Sequence, residues 1–190
     1  TRHAYGTALA AAMAHDDRLL VFDAEVSNST GSKAAAQAHP ERFIECYIAE
    51  QNMVGMAHGC AALGALPCLS SFAAFLSRAA DQLRMAALSG HHLVVAGSHA
   101  GISIGEDGPS QMGLEDVALM RACNGASVLS PADGVSCHHL LPQALAAEGL
   151  VYLRLTRPKR PLLYDPRDRD FPIGGSRLLR ESGDDRAAVI

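Results

Sequence analysis

The chain has 190 residues, a formal net charge of −4 and 48% hydrophobic residues, values typical of one globular domain with a substantial core. The small negative charge gives no indication of nucleic-acid or lipid binding, and no apolar run approaches the ~20 residues of a membrane span. Five irregularly spaced cysteines without a CxxC pair predict reduced thiols in a cytoplasmic protein.

The hydrophobic pattern predicts alternating helices and strands. The first third predicts a helix at 2–16, a strand at 18–23, a helix from Ser29 or Thr30 through Gln37, a strand at 43–47 and a helix at 50–63. The middle predicts a strand at 67–71, a helix at 72–88, a strand at 93–96 and a Gly-rich loop at 97–111. The rest predicts a helix at 114–122, a strand at 126–129, a helix at 134–147 and a strand at 151–155. This alternation indicates an α/β fold, a mostly parallel sheet with helices on both faces.

The composition changes near residue 158. The segment 159–190 is rich in Pro and Arg, with a short strand predicted at 177–179 and the start of another at 187–190. We therefore expect one domain over residues 1–158, followed by a tail over 159–190 that leads into a further, truncated element.

Glu50 stands at the predicted junction between a strand and a helix. In one interpretation its charge favours the helix N-terminus, and the spacing alone favours this interpretation. In the other, the carboxyl group meets a ligand nitrogen in a pocket and takes part in proton transfer.

Phe72, Phe75 and Arg78 follow at helical spacing, with the small Ala73 and Ala74 between the two phenylalanines. Two phenylalanines at this spacing are more commonly part of a core. The alternative is a platform on which a flat heterocycle stacks.

The loop 97–111 concentrates polar groups among glycines, which let a backbone approach a ligand closely. Its polar residues are Ser98, His99, Ser103, Glu106, Asp107 and Gln111. A single histidine in a loop is more often simply solvated. The adjacent pairs at 91–92 and 138–139 point to different sides of their elements, so we predict no metal site in this chain.

Three sequence strings together resemble the pyrimidine-binding domain of transketolases, which are thiamine diphosphate enzymes. They are Ile-Ala-Glu-Gln-Asn-Met at 48–53, Phe-Ala-Ala-Phe at 72–75, and a loop with Gly-Glu-Asp-Gly-Pro-Ser at 105–110 flanked by His99 and Gln111. The resemblance covers essentially the whole chain and one of the three domains of a transketolase, and Gln111 matches the mammalian-type form. It implies the pyrimidine-domain fold and a transferase that moves a two-carbon ketol unit from a ketose phosphate to an aldose phosphate in the pentose phosphate pathway.

The resemblance also implies roles for individual residues. Glu50 would activate the cofactor as a proton donor, Phe75 would stack on the pyrimidine with Phe72 beside it, and Gln111 would contact the cofactor. The residues implied in sugar-phosphate binding are Arg2, Ser29, His99, Asp107 and Arg157. Glu25 and Arg78 depart from the Asp and Tyr that many relatives carry, so neither is assigned a role.

The partners implied by the resemblance lie outside this chain. The diphosphate and a divalent metal, Mg or Ca, would be held by a separate diphosphate-binding domain, whose Gly-Asp-Gly motif this sequence lacks. The enzyme would be a homodimer, and this chain alone would be inactive. Two alternatives stay open: a deoxyxylulose-phosphate synthase-like thiamine enzyme, and a non-catalytic domain that works only by pairing with another protein.

Overall fold

The computed structural model describes residues 1–187. The predicted strand start at 187–190 lies outside this part of the chain, apart from residue 187. The strands are β1 (Leu19–Asp23), β2 (Phe43–Glu45), β3 (Leu66–Phe72), β4 (Leu93–Ser98), β5 (Ser127–Leu129) and β6 (Leu150–Arg154). The α-helices are α1 (Arg2–Met13), α2 (Ser27–Thr30), α3 (Lys33–Ala38), α4 (Glu50–Ala62), α5 (Ala80–Ser89), α6 (Asp116–Arg121) and α7 (Gly134–Ala146). Short 3₁₀ turns lie at Pro40–Arg42, Phe75–Ala79, Gly105–Asp107 and Pro109–Gln111.

The six strands form one sheet in the order β2-β1-β3-β4-β6-β5, and every neighbouring pair is parallel. Every residue of the central strands β3 and β4 is buried, as expected for parallel strands covered on both faces. Such strands appear in a sequence as short apolar runs, which explains why the pattern predicted them. The predicted α/β fold with a mostly parallel sheet is confirmed.

Successive side chains of each strand point to opposite faces, so the sheet has two hydrophobic cores. On one face, Leu9 of α1 and Leu141 of α7 pack with strand residues that include Val94. On the other face, Met53 of α4 and Leu83 of α5 pack with strand residues that include Val95. The helices therefore cover both faces and leave the carboxyl ends of the strands accessible to the connecting loops.

Three of the predicted elements differ from the structure. The helix predicted at 72–88 starts too early, because β3 runs through Phe72 and the backbone N–H of Ala73 still donates to the Ser98 carbonyl at 2.7 Å. The helix predicted from Ser29 or Thr30 is broken at Gly31, whose φ of 94° ends α2. The strand predicted at 177–179 is absent. Leu178 and Leu179 are 75% and 57% exposed, and a β-strand needs a hydrogen-bonded neighbour that this tail does not meet.

None of the five cysteines is in a disulfide bond. Among residues 1–187, no helix is long and apolar enough to cross a membrane.

Candidate functional site

The candidate site lies at the carboxyl edge of the sheet, where the loops after the parallel strands meet. β1 and β3 are neighbours, yet the chain leaves β1 towards β2 on one side and leaves β3 towards β4 on the other. Open parallel sheets bind ligands at such a reversal of strand order. The three non-glycine residues with positive φ among residues 1–187 all follow strands at this edge: Glu25, Tyr47 and His99. Left-handed backbone at such residues is strained and concentrates at functional sites.

Glu50 lies at the start of α4 and is only 3% exposed. The residue before it, Ala49, has non-helical backbone angles, so the helix begins at the carboxylate, where a negative charge is favourable. The Nη1 atom of Arg78 donates a hydrogen bond to Oε1 of Glu50 over 2.5 Å. The buried carboxylate therefore has a charged, half-exposed partner.

Two phenylalanines complete this part of the site. The rings of Phe72 and Phe75 are stacked, with centroids 5.0 Å apart. The guanidinium carbon of Arg78 lies 4.6 Å from the centre of the Phe75 ring. Glu50, Phe72, Phe75 and Arg78 are called the carboxylate cluster below. It offers one buried hydrogen-bond acceptor beside flat aromatic faces.

A second group of residues, Arg2, His99, Asp107 and Arg157, is called the arginine cluster below. Nη1 of Arg2 donates to the Ser29 carbonyl at 2.6 Å, and Nη1 of Arg157 lies 3.2 Å from Oδ2 of Asp107. The pKa of Arg2 is lowered, first by burial and then by the neighbouring Arg157. Arg2 and Arg157 line one cleft, and two guanidinium groups there form a site suited to an anion such as a phosphate.

His99 joins the two clusters. Its ring stacks on Phe72 with centroids 3.8 Å apart, and its Nδ1 shares a hydrogen bond of 2.9 Å with the Ser98 hydroxyl. Burial, followed by the charges of Arg2 and Arg157, lowers the pKa of His99 to about 4. The imidazole is therefore neutral near pH 7. It lies between the phenylalanine rings and the two arginines, where it can form hydrogen bonds with uncharged groups.

The loop that contains Gln111 folds back on itself. The N–H of Gly113 donates to the His99 carbonyl at 3.3 Å, and the N–H of Gly101 donates to the Gly113 carbonyl at 2.8 Å. A Cβ on Gly113 would lie 2.4 Å from the Cβ of Ala73, so glycine is required for this close approach. Within residues 1–187, no hydrogen bond or ion pair links the Gln111 side chain to either cluster. Ser29 approaches Arg2 through its carbonyl oxygen, not through its hydroxyl group.

Sequence reasoning missed Asp23, which ends β1 and is fully buried. Oδ2 accepts hydrogen bonds from the hydroxyls of Thr30 and Ser32, both at 2.8 Å, and Oδ1 accepts from the Val26 N–H at 2.7 Å. Burial raises the pKa of Asp23 to about 6 in spite of these bonds. A carboxylate at the end of a buried strand, followed by a Ser- and Thr-rich segment, is the signal that could have identified it.

The side chains at this edge fit a flat nitrogen heterocycle. Glu50 supplies a buried acceptor for a ring N–H group, and the phenylalanines supply faces for stacking. In the part of the chain that the structure describes, no group of three or more His, Cys, Asp or Glu residues could hold a metal ion.

The family model "Transketolase, pyrimidine binding domain" matches residues 1–161. Mouse transketolase-like protein 2 is 47% identical to this chain over 191 residues, and human transketolase is 46% identical over 191 residues. Each alignment covers all of this chain but 30% of the relative, so the chain spans about a third of the length of these proteins.

Solved structures of transketolases also resemble this chain. A transketolase from Campylobacter jejuni superposes with a TM-score of 0.84 at 27% identity, covering 96% of this chain and 29% of that one. A split-gene transketolase described as an inactive β4 tetramer superposes with a TM-score of 0.82 at 36% identity, covering 95% of this chain and 58% of that one. The sheet order, the matched residues and these relatives show that the chain belongs to the transketolase family, as its pyrimidine-binding domain.

Proposed function

We propose that this chain supplies the pyrimidine half of the cofactor site in a transketolase that transfers a two-carbon ketol unit from a ketose phosphate to an aldose phosphate. The observation that carries the proposal is Glu50, a carboxylate buried at a helix N-terminus beside the stacked rings of Phe72 and Phe75. The cofactor is thiamine diphosphate, which supplies the nucleophilic carbon that attacks the ketose carbonyl.

In this proposal Glu50 binds a ring nitrogen of the aminopyrimidine and moves a proton at that atom. A carboxyl group held at hydrogen-bonding distance contributes to catalysis as a general acid. Phe75, backed by Phe72, stacks on the ring and fixes its orientation, while the buried surroundings of Glu50 exclude water. Gln111 contacts the cofactor from the loop that closes on Gly113.

The arginine cluster binds the substrate. Arg2 and Arg157 hold the sugar phosphate, since one guanidinium group can donate two parallel hydrogen bonds to phosphate oxygens. The neutral His99 and the carboxylate of Asp107 hold sugar hydroxyls, and Ser29 lines the phosphate side. Support comes from the lowered pKa values of Arg2 and His99, which reflect burial and positive charge in this region.

The rest of the enzyme completes the site. We propose that a separate diphosphate-binding domain holds the diphosphate and a Mg or Ca ion, and that the working enzyme is a cytoplasmic homodimer in the pentose phosphate pathway. The chain alone is then inactive.

The experiment that tests the proposal mixes the chain with a diphosphate-binding domain of a transketolase, thiamine diphosphate and Mg²⁺. Ketol transfer from a ketose phosphate is expected from the mixture and from neither part alone, with Glu50→Gln as the inactive control. Decarboxylation of pyruvate without ketol transfer would instead support a deoxyxylulose-phosphate synthase-like enzyme. A stable complex with no turnover of either kind would support a non-catalytic domain.

A further inference from the structure

Arg78 is the member of the carboxylate cluster to which the sequence assigns no role. Its side chain extends from the 3₁₀ turn Phe75–Ala79 and is 51% exposed. One guanidinium nitrogen donates to Glu50 at 2.5 Å, and the guanidinium carbon lies 4.6 Å from the Phe75 ring centre. A single side chain thus contacts both the buried acceptor and the aromatic face of the cluster.

These two contacts are the ones that an aminopyrimidine ring needs in this cluster. A guanidinium group is planar, delocalised and rich in N–H donors, and it stacks on aromatic rings. An aminopyrimidine is also flat and also meets a carboxylate through nitrogen. The Arg78 head and a pyrimidine ring protonated on its nitrogen therefore both offer Phe75 a flat face and Glu50 an N–H donor.

The burial of Glu50 explains why the guanidinium group of Arg78 contacts its carboxylate. A carboxylate that is 3% exposed is costly without a hydrogen-bonding partner. Arg78 is that partner, yet half of its side chain already faces water. Because an arginine head is readily solvated at a surface, it can leave Glu50 when another donor takes its place.

We propose that Arg78 occupies the place of the pyrimidine ring and is displaced when the ring binds. Arg78 thus competes with the ring for Glu50 and Phe75 and sets the affinity of the cofactor site. The inference rests on the proposed function and extends it to a residue that tunes cofactor entry. Arg78 acts through Glu50 and Phe75 and is a positioning residue.

The test measures the affinity of the chain for thiamine by NMR titration. Thiamine has the same aminopyrimidine ring and lacks the diphosphate, so its binding does not require the missing domain. Arg78→Gln is expected to bind thiamine about 3- to 10-fold more tightly, because the competing charge-assisted hydrogen bond is removed from a half-exposed site. Arg78→Lys keeps the charge without the planar fork and is expected to lie between wild type and Arg78→Gln.

Two controls separate competition from a structural role. Arg84→Gln changes an exposed arginine of α5, whose partner Asp81 is 3.9 Å away, and should leave thiamine affinity unchanged. In a Glu50→Gln background, Arg78→Gln should give no further gain, since the contested carboxylate is already gone. A merely structural Arg78 would give the opposite sign, a loss of both affinity and thermal stability.

Equal or weaker thiamine binding by Arg78→Gln overturns the inference and leaves the proposed function standing. An absence of thiamine binding by every variant also overturns the inference, because the ring then does not reach Glu50. The ketol-transfer assay with the diphosphate-binding domain decides separately whether the proposed function holds.

Discussion

The carboxylate cluster and the arginine cluster lie at one edge of the sheet but are built differently. Glu50 and Arg78 are 28 positions apart, at the start of α4 and in the turn after β3. Arg2 and Arg157 come from opposite ends of the domain, and the Thr156 N–H donates to the Thr1 hydroxyl at 2.8 Å across 155 positions. The first cluster presents flat rings and one buried acceptor, whereas the second presents two guanidinium groups. The difference teaches that one half of the site is built within one helix–strand–turn segment, whereas the other needs both ends of the domain to meet.

The largest expected effect is on the carboxylate cluster. Glu50→Gln in the complete enzyme should lower turnover by roughly 10²- to 10⁴-fold, the usual result of removing a positioned proton-transfer group. The substitution keeps the size of the side chain, so the melting temperature should change little. Steady-state kinetics measure the effect, with the exposed Glu148→Gln as the control. A Glu50→Gln enzyme with near-normal turnover would contradict the role of this cluster.

Substitutions in the arginine cluster should mainly change the KM for phosphorylated sugars. Arg157→Ala is expected to raise KM for phosphorylated sugars by roughly 10- to 200-fold, because a hydrogen bond to a charged group is lost. His99→Ala is expected to raise it by about 2- to 13-fold, because the neutral imidazole binds uncharged hydroxyls. Cofactor Kd should stay near that of the wild type. Gln111→Ala should do the opposite and weaken cofactor binding first. Titrations of both ligands measure the split, with the distant Arg121→Ala as the control. If His99 and Arg157 instead change cofactor affinity alone, the division between the clusters is wrong.

His99 and Asp23 should make the free energy of unfolding change with pH in opposite directions. Between pH 4 and 6.5 the unfolded chain protonates His99 and the folded chain does not, so stability rises with pH in that window. Asp23 has the opposite sign, because the folded chain keeps its proton up to a pKa of about 6 while the unfolded chain loses it near 3.8. The Asp23 shift corresponds to about 3 kcal/mol. The two trends oppose each other in the wild type.

Substitutions should reveal each trend alone. His99→Gln should leave the Asp23 trend, so that stability falls as the pH rises from 4 to 6. Asp23→Asn should leave the His99 trend, so that stability rises as the pH goes from 4 to 6.5. Urea unfolding at half-unit pH steps measures both, and identical profiles for the two variants would show that these groups do not control acid stability.

The smallest expected effect concerns the loop that links the clusters. Gly113→Ala would place a methyl group against Ala73, and overpacking of this kind costs about 1–3 kcal/mol. Gly55→Ala is the matched control, since no atom lies within 4 Å of its added Cβ in α4, and it should stabilise the chain by about 0.5–1 kcal/mol. Thermal unfolding of both variants measures the difference. A Gly113→Ala chain as stable as the wild type would mean that the loop does not need to approach β3 so closely.

Much of the fold could be predicted from the sequence because buried parallel strands are short apolar runs between helical segments. Their order in the sheet could not, since it depends on packing between distant elements. The tail shows the limit of local preference: residues 177–179 favour a strand, but they meet no neighbouring strand and stay exposed.

For the site, the pattern singled out Glu50 and Phe75, but the resemblance rather than the spacing supplied their proposed roles. The ion pair between Glu50 and Arg78 was not predicted, because nothing in the spacing shows that the turn after β3 points back to α4. The proximity of Arg2 and Arg157 likewise depends on tertiary closure. Asp23 was read as the end of a strand, since its burial is visible only in three dimensions.

The position of β6 between β4 and β5 has a consequence for folding during synthesis. Among residues 1–187, β5 precedes β6 in the chain but pairs only with it, so β5 lacks this partner when it leaves the ribosome. At ~5–20 residues per second, it waits about one to five seconds for β6 to be made. The parallel pairing of β4 with β6 joins residues more than 50 positions apart, a non-local contact that slows folding further. Arg157 follows β6, so the arginine cluster is completed only after β6 has been made.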